Sequence, residues 1–280
     1  MSLSSVFSSF LTRLAFFIYT DRVERFTKQT GIHSELVRLY WSVQSRFHDG
    51  TVQLSVADQT ASFSVTTPSE YYRFHDLIGE DRILADLLAE LEPDDVFYDI
   101  GANVGMYTCF VGQVLPAEQI IAFEPHPTNV RRLRENLNLN GIGADIVDCA
   151  LSNEEGESEL VVDRRDEAGA GRHALAVGEE EKTMTIELIT GDTLVAENRI
   201  PAPTIIKIDI EGAELSALRG LRESLAESCR LCYVEVHPDR IERYGGTAEE
   251  IETFFSELGF HTERIHERKD DEYFLKAQNA

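Results

Sequence analysis

The sequence predicts an α/β fold, a doubly wound and mostly parallel sheet preceded by a helical and β-hairpin extension. Three observations predict it. From residue 96 onward, short apolar runs alternate with segments of helical periodicity, the pattern of repeated βα units. A glycine turn, Gly101-Ala102-Asn103-Val104-Gly105, falls at the first strand-to-helix junction, beyond the carboxyl end of a strand, where such sheets bind ligands. The 280 residues, 42% of them apolar, suffice for a large core without a disulfide or metal staple.

The elements follow in order. Met1 to Thr20 is apolar and aromatic around Leu14-Ala15-Phe16-Phe17-Ile18. It lacks the basic leader and small-residue cleavage site of a secretory signal. Arg13 and Asp21 bracket a run far short of the ~20 residues that span a bilayer, so no transmembrane segment is expected. Packing on the protein's own body or on a sister subunit is expected, with weak peripheral membrane contact as the alternative. Val52, Leu54 and Val56 alternate, as do Ala61, Phe63 and Val65, which reads as a β-hairpin turning at Asp58-Gln59-Thr60. Pro68 ends this extension, residues 1–68, and the main domain runs over 69–280. Tyr71-Tyr72-Arg73-Phe74-His75 follows, either as a wall of an acceptor pocket or as a packing segment.

Leu84, Leu87, Leu88 and Leu91 have helical spacing. Val96 to Ile100 reads as a buried strand, followed by the glycine turn and a helix carrying Val104, Tyr107, Val111 and Leu115. Gln119 to Phe123 is a second strand. Pro127 opens the next helix, with Val130, Leu133 and Leu137 inward and Gly141 past its end. Ala144 to Val147 is a third strand; 158–162 and 183–189 are shorter β candidates flanking a glycine-bearing loop, Asp163 to Lys182, that could act as a lid. Thr204 to Asp209 is a strand, with a helix after it marked by Leu215, Leu218, Leu221 and Leu225. Leu231 to Val236 is another strand. Thr247-Ala248-Glu249-Glu250 is a capping box opening a helix that Gly259 ends. Strand candidates 260–265 and 272–276 close the chain.

Charge narrows the function. Fifty acids against 26 bases give a net charge of −24, which argues against a nucleic-acid partner held by a basic face and against docking on anionic lipid. Five Lys stand against 21 Arg, the lysine-poor, acid-rich balance of a halophilic protein whose self-repulsion is screened by salt. The four cysteines, Cys109, Cys149, Cys229 and Cys232, are expected as buried free thiols in a reducing, cytoplasmic compartment. Strand alternation would point Cys229 and Cys232 to opposite faces.

The turn's spacing is G-x-x-x-G, not the G-x-G-x-x-G that seats a pyrophosphate. Asp99 just before it would repel phosphates and favour a cationic ligand such as a sulfonium. Glu124, at the end of the second strand, can accept two hydrogen bonds from a ribose diol.

Together with that turn, Ala122-Phe123-Glu124-Pro125, Asp148-Cys149-Ala150-Leu151-Ser152 and Ile206-Lys207-Ile208-Asp209-Ile210-Glu211-Gly212-Ala213-Glu214 resemble the FkbM family of S-adenosylmethionine-dependent methyltransferases over residues 70–276. The resemblance implies a class I methyltransferase (Rossmann-like) sheet, seven-stranded with its last strand antiparallel. It also implies methyl transfer to oxygen, often a sugar or polyketide hydroxyl, with S-adenosyl-L-methionine as cofactor. By motif, Asp99, Gly101, Asn103 and Gly105 would line its methionine end and Glu124 its ribose. Asp148 would meet the adenine amino group, with Cys149 and Ala150 beside the ring.

Methyl transfer to an alcohol calls for a base near the acceptor. Asp209 and Glu211 are two apart, as are Glu235 and His237, so each pair shares a side if extended geometry persists. If the methyltransferase topology makes their strands neighbours, all four meet. His237 is the expected general base, because imidazole titrates near neutrality, with Glu235 or Asp209 orienting it and Glu214 binding an acceptor hydroxyl. The four could hold Mg or Mn, but no diagnostic spacing marks a site, so no metal is expected. The expected function is thus a methyltransferase acting on a hydroxyl of a sugar, glycan or related small molecule. The alternatives are a non-catalytic cofactor-fold interaction module and a dinucleotide-dependent oxidoreductase. Nothing in the sequence sets the oligomeric state.

Overall fold

The computed structural model describes residues 50–67, 70, 74, 80–162, 183–267 and 271–279. The expectations for Met1 to Thr20, for Tyr71, Tyr72, Arg73 and His75, and for the loop 163–182 lie outside them.

Parallel strands with helices over both faces must be apolar on both sides, and the central runs are. β3 (Phe97–Ile100), β4 (Ile120–Phe123), β9 (Ile205–Ile208) and β10 (Leu231–Val236) are buried at every position. With β5 (Asp145–Val147), β11 (Phe260–Glu267) and β12 (Tyr273–Asn279) they form a seven-stranded sheet of order β11-β12-β10-β9-β3-β4-β5. The strands from β10 to β5 pair in parallel, while β12 runs antiparallel to both β10 and β11. The fold is the class I methyltransferase sheet, last strand included.

Strand alternation divides the interior into two cores. One holds Phe97, Ile120, Ala122, Ile205 and Tyr233 and is covered by α1 (Glu80–Glu90), α2 (Met106–Val111) and α3 (Pro127–Asn140). The other holds Tyr98, Ile121, Ile206 and Val234 under α4 (Gly191–Ala196), α5 (Glu214–Arg219), α6 (Arg222–Glu227), α7 (Pro238–Arg243) and α8 (Ala248–Glu257). Cys229 and Cys232 both lie in this second core, so the opposite-face expectation is corrected. Cys229 precedes β10 and alternation does not govern it. All four cysteines are buried free thiols.

The hairpin forms as read, from β1 (Thr51–Val56) and β2 (Gln59–Ser64). Its turn is tighter than expected: Val56 pairs with Gln59, leaving Ala57 and Asp58 as the loop, with Ala57 at φ 49°. Phe63 inserts into the first core and stacks on Phe74 at 4.6 Å. On α3, Asn140 accepts from the Ser62 N–H at 2.7 Å and Asn136 from that of Ser64 at 2.8 Å. Asn136 also donates to the Val104 carbonyl at 2.8 Å, tying the hairpin to the glycine turn.

Two features depart from the sequence reading. The helix expected across Leu215 to Leu225 is two helices, α5 and α6, broken at Gly220. A Cβ there would come within 1.9 Å of the Ser152 carbonyl oxygen, so close backbone approach fixes both the glycine and the break. The strand candidates at 158–162 and 183–189 do not join the main sheet. As β7 (Gly156–Val161) and β8 (Thr183–Ile189) they pair with each other, and β8 pairs with β6 (Ala150–Leu151), in a separate sheet of order β6-β8-β7.

Candidate active site

β3 and β9 are neighbours, yet the chain leaves β3 towards β4 and β5 on one side and returns through β9 to β10 on the other. Such a reversal opens a crevice beyond the strand ends. A cleft of about 710 Å³, most of it open to solvent at the mouth, lies there.

One wall is the glycine turn. Gly101 has φ 77°, and a Cβ on it would meet the Asp209 carbonyl oxygen at 2.0 Å. Only glycine lets the β3 and β9 strand ends approach so closely. The Gly101 and Ala102 N–H groups both donate to the Phe123 carbonyl at 3.0 Å. Glu124, buried at the end of β4, accepts from the Asn103 N–H at 2.8 Å through Oε2. Its Oε1 accepts from the His126 N–H at 2.9 Å and from Asn129 Nδ2 at 3.2 Å. Among the described residues the Asn103 Oδ1 is buried without a hydrogen-bond partner, an acceptor left for something that enters the cleft.

Of the residues expected at the donor, Gly101, Asn103, Glu124, Cys149 and Ala150 line this cleft, while Asp99, Gly105 and Asp148 are not among its walls. Asp99 is fully buried. Its Oδ1 lies 3.2 Å from Lys207 Nζ, and its Oδ2 accepts from Thr108 N–H at 3.0 Å and Thr108 Oγ1 at 2.6 Å. The cation facing Asp99 is therefore Lys207, because a carboxylate this deep must be paired. Gly105 has φ 86° and its Cα faces the Leu133 side chain, which a Cβ would approach to 2.2 Å. Asp148 is on the surface, 3.1 Å from Arg134, with half of its side chain exposed.

Of the four proposed catalytic side chains, Asp209 and Glu211 line the cleft, while Glu235 and His237 are buried and not among its walls. Asp209, Glu211 and His237 have ligand atoms within 4.8 Å of one another, as do Glu235, His237 and Glu272. They meet for a different reason than simple alternation. β9 ends at Ile208 and the chain then turns sharply, with Glu211 at φ 58° and Gly212 at φ 112°. Glu214, at the start of α5, accepts from the Gly212 N–H at 2.8 Å and holds His237 Nδ1 at 2.8 Å through the same Oε1. Nε2 then faces Glu211 Oε2 at 3.8 Å and Glu235 Oε1 at 4.0 Å. The orienting group of His237 is thus Glu214, not Glu235 or Asp209. Arg240 pairs with Glu211 and reaches Glu272 at 3.4 Å.

Burial works against a charge on His237. The hydrogen bond to Glu214 and the charges of Glu214, Asp209 and Glu235 outweigh it and lift the imidazole from 6.5 to about 9. This lies above the near-neutral titration expected from the sequence and favours the protonated imidazole at neutral pH. Sequence reasoning missed Lys207, Arg240 and Glu272 as members of the site. Lys207 stood in a motif already singled out, and Arg240 follows His237 by three residues, but nothing local marked either. The cleft itself is acidic, with Glu124, Asp209 and Glu211 among its walls. Burial holds the Cys149 thiol protonated, up to about 12, so it meets a ligand as an apolar surface.

Comparison with known proteins settles the family, because the methyltransferase FkbM domain matches residues 99–262. The chain belongs to the FkbM methyltransferases. The hexuronic acid methyltransferase AglP of Haloferax volcanii is 31% identical over 225 residues, 80% of this chain and 88% of that protein. The 31-O-demethyl-FK506 methyltransferase FkbM of Streptomyces tacrolimicus is 28% identical over 187 residues, 57% of this chain and 72% of that protein. A crystal structure of methyltransferase FkbM from Methylobacillus flagellatus aligns with a TM-score of 0.46 at 18% identity, covering 68% of this chain and 45% of that one. This FkbM methyltransferase is an enzyme, and no helix among its described residues is long and apolar enough to cross a membrane.

Proposed function

We propose that this FkbM methyltransferase uses S-adenosyl-L-methionine to methylate an oxygen, a hydroxyl of a sugar or glycan, in the cleft between β3 and β9. The observation that carries the reading is the unpartnered Asn103 Oδ1 in a cleft walled by carboxylates. Such walls suit the sulfonium and ammonium of that donor and repel the pyrophosphate of a dinucleotide. Gly101 and Asn103 would hold the methionine end, Glu124 the ribose, and Cys149 and Ala150 the adenine ring. Asp99 and Gly105 act from behind that wall, Asp99 through Lys207. The carboxylate of Glu124 is the acceptor that a ribose diol would meet at the end of β4. The sugar is favoured as acceptor by the hexuronic acid of the Haloferax relative.

The bound donor supplies an electrophilic methyl group. The chain's task is to align an acceptor oxygen with it and to remove the proton. Asp209 stands on the cleft wall and receives that proton on its carboxylate. The His237 imidazolium, locked by Glu214, keeps Glu211 and Glu235 in place by charge. The hairpin end of the 1–68 extension braces the donor wall through Asn136 and Val104, while 69–280 carries the chemistry. Incubating the enzyme with radiolabelled S-adenosylmethionine and a panel of neutral and uronic sugars tests the reading. Label should enter a sugar as an alkali-stable ether. Label in no sugar, or only in protein or nucleic acid, contradicts it.

A further inference from the structure

Lys207 lies at the reversal point of the sheet and is the most buried cation there, its side chain 4% exposed. It stands opposite Asp99 in the β3–β9 register. Its ammonium donates to the Gly101 carbonyl at 3.1 Å, lies 3.2 Å from Asp99 Oδ1 and 3.9 Å from Asp209 Oδ2, and sits 5.1 Å from the centre of the Tyr107 ring. Burial works to lower its pKa, yet the charges of Asp99, Asp209 and Glu80 and the hydrogen bond to Asp99 raise it above its ordinary value. A neutralised structural pair would need only Asp99. The additional reach to Gly101 and Asp209 touches one group from each wall of the cleft.

We propose that Lys207 is a positioning residue for methyl transfer, fixing the Gly101 carbonyl of the donor wall and the Asp209 carboxylate of the acceptor wall in one frame. The inference rests on the proposed roles of those two walls. The Gly101 turn is also held by the Phe123 carbonyl and, through Asn103, by Glu124. Asp209 stands on the cleft wall beyond the end of β9. Loss of Lys207 takes a cation away from the Asp209 carboxylate, while the donor turn keeps these other bonds. Since a misplacement near 1 Å costs about 10²-fold in rate, the deficit falls on kcat rather than on donor binding.

The decisive comparison is Lys207→Met against Lys207→Met/Asp99→Asn. The single variant leaves Asp99 buried and unpaired, so its stability drops. The double variant removes both charges while an asparagine oxygen still accepts from Thr108. We expect the double variant to recover most of the melting temperature and to bind S-adenosylmethionine within about threefold of wild type by calorimetry, while kcat stays about 10²-fold low. Recovery of kcat together with stability would overturn the inference and leave Lys207 as a charge partner only. If the double variant does not fold, Lys207→Arg, which keeps the charge, decides: about tenfold loss in kcat at unchanged donor affinity supports the inference, and full kcat overturns it. Wild-type protein that binds no donor would instead overturn the reading of the site itself.

Discussion

On the donor side of the cleft, Glu124 accepts two backbone N–H groups and one amide, and the glycine turn hangs from the Phe123 carbonyl. Past the end of β9, Asp209, Glu211, Glu214, Glu235 and Glu272 gather with His237, Arg240 and Lys207 in a cluster of ion pairs. One wall is set by backbone geometry, which pH and single side-chain changes move little. The other is a balance of charges. The difference assigns shape recognition to the first wall and proton handling to the second, and it can be probed wall by wall.

The largest effect is expected from Asp209→Asn. Removing the proton acceptor should lower kcat by about 10²–10⁴-fold while donor affinity by calorimetry stays near wild type; an equal loss in both would mean the walls are not separable. Next, Glu124→Gln costs charge-assisted bonds worth about 1.5–3 kcal/mol. Donor affinity should fall roughly 10–100-fold, with kcat at saturating donor changed much less, as steady-state kinetics would show.

A pH series on stability tests the acceptor wall. The folded His237 holds its proton up to about 9 against 6.5 when unfolded. The stabilisation is complete below pH 6.5 and is lost as the pH rises through 9, on the order of 3 kcal/mol in all. The buried thiols of Cys109, Cys149 and Cys229, pushed up to about 12 from 9, add their own loss only at higher pH. Denaturant unfolding between pH 6.5 and 9 should therefore slope downward in wild type and flatten in His237→Gln. A flat wild-type curve would remove the imidazolium from the account. The smallest effect belongs to Asp148→Ala, which breaks an exposed pair with Arg134 worth about 0–1 kcal/mol. Donor affinity should change less than threefold, and a tenfold loss would return Asp148 to the adenine pocket.

The unequal legibility of the two walls has the same origin. Strand runs, the glycine turn, Pro127 at the head of α3 and the Thr247–Glu250 capping box depend on neighbours in sequence, and all appear where they were read. The partnership of Lys207 with Asp99 and that of Glu214 with His237 depend on which strand ends become neighbours, which periodicity does not encode. The same holds for Gly220, whose break between α5 and α6 is imposed by the distant Ser152, and for the separate β6-β8-β7 sheet. The titration of His237 was not legible for the same reason: it is raised chiefly by Glu214 and Asp209, which lie more than twenty residues away in the stretch from the end of β9 to the start of α5.

The account rests most directly on the donor wall, so calorimetric titration of the wild-type protein and Gly101→Ala with S-adenosylmethionine is the measurement to make, with NAD as control. The alanine Cβ would press on the Asp209 carbonyl at a left-handed backbone position. Saturable one-to-one binding of S-adenosylmethionine to wild type, no heat with NAD, and at least tenfold weaker binding to Gly101→Ala are the predicted results. No heat with the methyl donor, or undiminished affinity in the variant, would contradict the placement of the donor in this cleft.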